Sequence, residues 1–410
     1  MSCLDTPFAP DCAHLAERDE YATHGCRVVE VNDIHELANY RLAWDSLLAQ
    51  SPQSNFFQTL DWLTVYWKHQ GEGCRLRALV VQVRGKTIGF LPLVVRNERT
   101  KVGQLRVLNY PLHDWGSFYG PIGPNPTATL LAGLGHIRRT ARDWDVLDLR
   151  WIDEETSDRG RTLRALEAKG FSAFRDEWST SAVIDLTTGG GWDAYWAGRT
   201  TKWRTNVRRN ERRLAELGDV RHVRYRPLGA AHGDDDPRWD LYGVCEDIAL
   251  RSWQGDSSTG TTISHQSIRS LLRDAHEAAT RAGGVDLNLL YVNDVPVAFN
   301  YGYHYQGQLF GLRMGFDRAT GADGAGSVLL YRMIQDSFAR GDRVFDLGAD
   351  YLDCKRPWLT RIATSYRYSH YPPGISRAQI IHAKRWVAGL FAKAKIPRKA
   401  MTETVTAKVD

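Results

Sequence analysis

The sequence predicts an α+β protein in which one structural plan is used twice, and three observations carry that prediction. Its 410 residues are about two to three times a modal domain. One order of elements (helices, hairpin, strand, loop, helix, strand) can be traced through residues 27–187 and again through 188–375. The two passes meet at Thr187-Thr188-Gly189-Gly190-Gly191, a run with the flexibility of a linker. The expected domains are therefore 27–187 and 188–375, preceded by a loose leader over 1–26 and followed by a tail over 376–410.

In the first pass, Val28-Val29-Glu30-Val31 is a strand, and Leu37, Tyr40, Trp44 and Leu47-Leu48 recur three or four apart as one face of a helix. Pro52 ends that helix, and Thr59 is placed to N-cap a second that runs to about Trp67. Two β-rich runs, 76–83 and 87–95, enclose the turn Arg84-Gly85-Lys86 and form a hairpin. A strand over 105–108 enters a Gly/Pro/aromatic loop, 109–126, before a helix over 128–142, a strand over 146–151 and a helix over 161–169. In the second pass, helices over 239–252 and 268–282 precede a hairpin of 285–291 and 295–301 around Val292-Asn293-Asp294. A strand over 309–316, a Gly-rich loop over 321–326, a helix over 328–339 and strands over 344–347 and 365–371 complete it.

Composition narrows the function. Hydrophobic residues at 43% and charged residues at 25% supply a globular core and exclude a largely disordered chain. Lys and Arg number 53 against 48 Asp and Glu, and a net +5 is too mild for a chain dedicated to nucleic acid. The six cysteines (3, 12, 26, 74, 245, 354) form no C-x-x-C pair, so neither a disulfide framework nor a zinc knuckle is expected, and a reducing cytoplasm is the expected location. The longest apolar run, 88–95, is far short of the roughly 20 residues of a membrane span. The leader has neither a basic start nor an apolar stretch, unlike a signal peptide. With no G-x-S-x-G elbow, H-E-x-x-H pair or EF-hand loop, the sequence speaks against a serine hydrolase or a metalloenzyme of those kinds, and no metal is expected.

Chemistry is expected first between Met314 and Ser327, where a strand passes through a glycine-rich loop into a helix. Such a loop turns backbone N–H groups toward an anion at a helix N-terminus, and its glycines allow a pyrophosphate to approach. The second feature is the run Arg199, Lys202, Arg204, Arg208, Arg209, Arg212 and Arg213, seven cations in fifteen residues, with Trp203 available for stacking. It is either a solvated interdomain face or an anion-binding wall for a nucleotide-linked, phosphorylated or tRNA-borne substrate. Third, Arg251 and Trp253 end a helix where a guanidinium can fork onto an anion and an indole can stack on a sugar. The tail sets Ile380, Ile381, Val387, Leu390 and Phe391 opposite Lys384, Arg385, Lys393 and Lys395, a basic amphipathic helix suited to docking on the protein body or to peripheral membrane contact. Asp148 and Asp346 occupy equivalent positions in the two passes, which points to a repeated structural role.

The order and spacing of several segments resemble a known family. They are Phe56-Phe57-Gln58-Thr59-Leu60-Asp61-Trp62-Leu63 with Trp67, Ile88 to Leu93, Lys202 to Arg209, Val295-Pro296-Val297-Ala298, Asp317 with Gly324 and Gly326, and Val344-Phe345-Asp346-Leu347-Gly348 followed by Lys355. The chain resembles tandem GNAT-fold acyltransferases of the CelD/BcsL type, named for cellulose biosynthesis, and more distantly the FemAB-type peptidoglycan aminoacyltransferases. The resemblance implies two tandem GNAT-like domains, each a mixed, mostly antiparallel sheet flanked by helices, with the second catalytic and the first degenerate. It implies transfer of an acyl group from acyl-CoA to an amine or hydroxyl, with a small-molecule, glycan or envelope-precursor acceptor. Donor contacts then fall to Met314, Phe316, Gly321, Gly324, Gly326 and Ser327, and acceptor contacts to Trp203, Arg204, Arg208, Arg251 and Trp253. The family's Tyr-Lys pair stands here as Cys354-Lys355. For the chemistry, His304 is expected as base, Tyr351 as acid to the leaving thiolate, and Lys355 as charge stabiliser. Two alternatives stay open: an aminoacyl-tRNA-dependent FemAB-like transferase, and a non-catalytic duplicated fold that binds an anionic glycan or nucleotide.

Overall fold

A computed structural model describes residues 25–394 except 53, 113–115, 258–259 and 350, with side chains through 388. The expected leader, apart from its last two residues, and the tail beyond 394 lie outside the described residues. Among the described residues, twelve strands, β1 (Cys26–Val31), β2 (Arg75–Val83), β3 (Lys86–Thr100), β4 (Gly103–Asn109), β5 (Val146–Ile152), β6 (Ala173–Asp185), β7 (Val220–Tyr225), β8 (Val285–Val292), β9 (Val295–Tyr305), β10 (Gln308–Phe316), β11 (Val344–Ala349) and β12 (Arg361–His370), form one sheet. Their order is β1-β2-β3-β4-β5-β12-β6-β11-β10-β9-β8-β7. Pairing is antiparallel except for β4 with β5 and β10 with β11, which run parallel. The expected mixed, mostly antiparallel architecture flanked by helices is thus present as one continuous sheet.

The plan repeats on either side of the sheet's centre, and the centre is shared. Each half lays down a four-strand meander whose last strand pairs in parallel with a fifth, β4 with β5 and β10 with β11. The next strand of each half then crosses over: β6 pairs with β11, β12 pairs with β5, and β6 and β12 pair with each other along ten rungs from Arg361↔Val183 to His370↔Ala173. Neither β6 nor β7 is visible as a sequence pattern, because Arg175-Asp176-Glu177 and Arg221-His222 interrupt the alternation that marks a half-buried strand.

Helices cover both faces: α1 (Arg41–Ala49), α2 (Leu60–Gln70), α3 (Pro126–Arg139), α4 (Arg161–Ala168), α5 (Gly191–Ala197), α6 (Thr201–Leu217), α7 (Trp239–Arg251), α8 (Gln266–Arg281), α9 (Ala325–Arg340), the single turn α10 (Leu352–Lys355) and α11 (Ser376–Ala394). As expected, Thr59 caps α2, its hydroxyl accepting from the Trp62 N–H at 3.1 Å. The Gly-rich run after Thr187 holds Gly190 and Gly191 at φ of +89° and +61° and then starts α5 at once, so it is a tight entry into a helix. Pro92 lies inside β3, where its missing N–H is harmless. The β4 ladder begins only at Val94↔Asn109, and the bridge of β3 to Ile122 ends at Phe90.

Two aromatic-rich cores hold the sheet. On one face, Phe56 and Phe57 of the first half pack against Tyr303 and Phe310 of the second, with ring centroids 4.4 Å (Phe56–Tyr303) and 5.9 Å (Phe57–Phe310) apart. On the other, Trp196, Val207, Leu214 and Phe345 join the α9 residues Val328, Leu329 and Met333 in one core. Each fully buried aromatic contributes about 1.5–3 kcal/mol of transfer free energy, which makes the Phe56-Phe57 contact a principal link between the halves. Among the described residues no helix is long and apolar enough to cross a membrane.

Candidate active site

The parallel pair β10–β11 joins over three rungs, Gln308↔Val344, Leu309↔Phe345 and Phe310↔Asp346, and then parts. Both strands bulge at the parting: β10 shifts register against β9 between Gly311 and Arg313, and β11 shifts against β6 between Asp346 and Ala349. Gly348 carries the second bulge at φ +83°. Gly348 still lies against the Gly311 carbonyl, and the ladder does not continue beyond them, toward the end of β10 that leads into α9; this parting is the candidate cleft.

At that end lies the loop expected to cradle an anion. Asp317, 4% exposed, caps the turn Arg318–Thr320 through the Ala319 N–H at 2.9 Å and receives Arg251 Nε at 2.6 Å. Arg251 therefore braces the loop, its guanidinium already on a carboxylate. Gly321 and Gly324 take φ of +67° and +87°, and Gly324 is the N-cap of α9. A Cβ on Gly324 would stand 2.4 Å from the Asn210 side chain, so α6 packs where only glycine fits. A Cβ on Gly326 would lie 3.7 Å from Met314 and Phe316. Met314, Phe316, Gly324, Gly326 and Ser327 thus converge on the start of α9, whose first turn has no acidic residue to oppose an anion drawn by the helix dipole.

Two further candidates meet across the cleft. Tyr351, at φ +49° and 73% exposed, faces Trp253 with ring centroids 6.0 Å apart. Lys355 Nζ donates to the Gly348 and Ala349 carbonyls at 2.9 and 2.7 Å and so fixes the end of β11. His304 is not brought to this group. It pairs with Leu309 at the far end of β10, near Arg226 and Arg340, and α9 carries Arg340 about 24 Å from its N-terminus. Burial and the neighbouring Arg226 push its imidazole down to about 4, which keeps it neutral.

The cationic run forms α6 as expected, but its residues divide. Val207, Asn210 and Leu214 are buried, and Trp203 packs edge-on against Trp358 at 5.3 Å. Arg204 reaches Thr201 Oγ1 at 3.4 Å. Arg208, Arg212 and Arg213 stand exposed with no carboxylate partner among the described residues.

The residue that sequence reasoning missed is Asp346. Its counterpart Asp148 is ion-paired to Arg367 and to Arg150 at 2.7 Å and accepts from Ser369 at 2.6 Å, and these arginines hold its carboxyl far below the usual range. Asp346 is equally buried, but among the described residues it has no ion-pair partner and accepts only from the Gly348 N–H at 2.8 Å and from Ser117 Oγ of the first half at 3.2 Å, and burial pushes its carboxyl up. The available signal was the glycine two residues after Asp346, where Asp148 has Arg150: one position supplies a counter-ion and the other does not. Among the described residues no group of three or more His, Cys, Asp or Glu is arranged to hold a metal ion.

Comparison with known proteins agrees with this geometry. Residues 201–356 match the model of an acetyltransferase (GNAT) domain. The crystal structure of FemX superimposes with a TM-score of 0.58 at 12% identity, covering 87% of this chain and 99% of that one. A conserved protein of unknown function from Bacteroides thetaiotaomicron VPI-5482 gives 0.50 at 14% identity, covering 84% and 100%. No curated protein matches the sequence. The parallel strand pair, its parting and the glycine-capped helix all lie inside the segment that is similar to a GNAT acetyltransferase domain.

Proposed function

We propose that this protein transfers an acyl group from acyl-CoA to an amine or hydroxyl acceptor at the β10–β11 cleft, as a tandem GNAT enzyme of the CelD/BcsL type. One observation supports this most strongly: the β10–β11 ladder ends at Phe310 and Asp346, and six residues further along β10, about 20 Å, the strand ends at Phe316, which lies against Gly326 in the first turn of the glycine-capped α9. That span suits an extended pantetheine arm with its pyrophosphate at the helix. Tyr351 stands at the mouth as acid to the leaving thiolate, Lys355 shapes the end of β11, and Trp253 lines the acceptor side. The acceptor is a small molecule or an envelope or glycan precursor. α11, with Ile380, Trp386 and Val387 exposed beside Lys384, supplies peripheral membrane contact if that precursor is lipid-linked.

A thermal-shift series with acetyl-, succinyl- and longer acyl-CoAs tests the donor. A ligand at 100 times its Kd adds about 2.7 kcal/mol of stability, a readily measured shift in Tm. The exposed arginines 208, 212 and 213 favour a second reading, in which the donor is an aminoacyl-tRNA or the protein binds a polyanion without turnover. Stabilisation by polyanions and by no CoA species would select it.

A further inference from the structure

Resting on the acyl-transfer reading, we propose that Ser117 and Asp346 form a proton relay, one residue from each half, that deprotonates the acceptor. Asp346 sits at the last rung of the β10–β11 ladder, next to where the strands part, and its carboxyl is turned to the first half. It is 5% exposed, and its Oδ2 accepts from Ser117 Oγ at 3.2 Å. The charged groups around it are Lys355 of α10 and Arg361 of β12, and neither is within ion-pair distance. Lys355 is turned to the Gly348 and Ala349 carbonyls. A buried carboxyl joined to the protein by one hydroxyl and one amide is free to take up a proton, whereas Asp148, clamped by two arginines, is not.

Ser117 is held for the task by the first half. The three residues that follow it are pinned: Asn55 Nδ2 donates to the Phe118 carbonyl at 2.6 Å, Gln58 Nε2 to the Gly120 carbonyl at 3.2 Å, and the Tyr119 N–H to the Trp151 carbonyl at 2.9 Å. Asn55, Phe56, Phe57 and Gln58 belong to the same turn that packs on Tyr303 and Phe310, so one rigid unit fixes both the join and the hydroxyl. A hydroxyl that donates to Asp346 keeps lone pairs for an acceptor N–H or O–H.

As the acceptor lone pair forms its bond to the thioester carbonyl carbon, the acceptor proton passes to Ser117 Oγ and the serine proton to Asp346 Oδ2. When the carbon–sulfur bond breaks, its electron pair leaves on sulfur. That thiolate takes a proton from Tyr351, whose exposed phenolate regains one from solvent while Asp346 releases its proton through Ser117. The relay ends in its starting state, with products acylated acceptor and CoA thiol, so the first half takes part in the chemistry.

The test uses the full chain and acetyl-CoA hydrolysis, water standing in for the unidentified acceptor, read as thiol release, with acetyl-CoA Kd measured in parallel. Asp346→Asn should lower kcat about 100-fold or more at unchanged Kd, Ser117→Ala should lower it about 10-fold or more, and the double variant should be no worse than Asp346→Asn. The acid limb of the wild-type pH–rate profile should disappear in Asp346→Asn. Ser117→Ala keeps the relay testable should the aspartate variant fail to fold. Both variants within threefold of wild type at unchanged Kd would overturn the relay alone, and a wild type that neither binds nor hydrolyses acetyl-CoA would overturn the donor assignment and the relay with it.

Discussion

Two carboxylates at one repeated position show how a single neighbour decides what a residue does. Asp148 is locked by Arg150 and Arg367, while Asp346 has Gly348 in place of the first arginine and a serine in place of the second. Because folding raises the Asp346 pKa, its protonated form is favoured in the native state, and the stability this brings is present at low pH and lost as pH rises through the folded pKa. Asp346→Asn should therefore raise Tm at neutral pH and leave it nearly unchanged at low pH, a difference that scanning calorimetry at two pH values will show. Asp148→Asn should do the opposite and destabilise at neutral pH, since it breaks a buried ion pair, typically a loss of about 3–5 kcal/mol. The sequence makes the equivalence of the two aspartates legible but not their divergence, because Arg367 and Ser117 reach them from more than 200 residues away.

Among elements, those governed by local spacing were the legible ones. The α2 cap at Thr59, the hairpins at Arg84-Gly85 and Asn293-Asp294, and the glycine-started α9 follow from residues within a few positions of each other. β6 was not legible, because its partners β11 and β12 lie far downstream and tolerate its polar outer half. The same contrast governs α6. Its buried side packs on the glycine loop through Asn210 and Gly324, while Arg208, Arg212 and Arg213 have no carboxylate partner among the described residues. Replacing Arg208, Arg212 and Arg213 by Gln should leave Tm and acetyl-CoA Kd near wild type. The same triple variant should weaken polyanion binding and flatten the slope of log affinity against log salt by up to about 0.7–0.9 for each phosphate no longer neutralised, measured by binding titration over a salt series. Gly324→Ala acts on the inner side: a Cβ 2.4 Å from Asn210 at φ +87° should cost about 1–3 kcal/mol in urea denaturation and loosen α6 from α9.

For the whole molecule, duplication is plain in the sequence and strand exchange is not, because exchange depends on which copy of a repeated strand closes which half. β12 has β5 and β6 as its neighbours, and both precede residue 188. A fragment of residues 188–410 would leave β12 with no partner and one edge of β11 unpaired, so it should fail to give a cooperative thermal transition. Restoring 173–187 supplies β6 to both strands and should recover measurable order by circular dichroism. This linkage fits the proposed division of labour, in which the second half holds the donor at the start of α9 and the first half contributes the Ser117 loop.

The most direct test of that account is calorimetric titration of the intact protein with acetyl-CoA, alongside Ser327→Glu. An acid in the first turn of α9 favours the helix through its dipole, so the variant should fold normally while its carboxylate occupies the anion cradle. The account predicts one binding site per chain in the wild type and a loss of affinity of at least about tenfold, about 1.4 kcal/mol, in the variant. No acetyl-CoA binding by the folded wild type, or equal affinity in the two proteins, would contradict it.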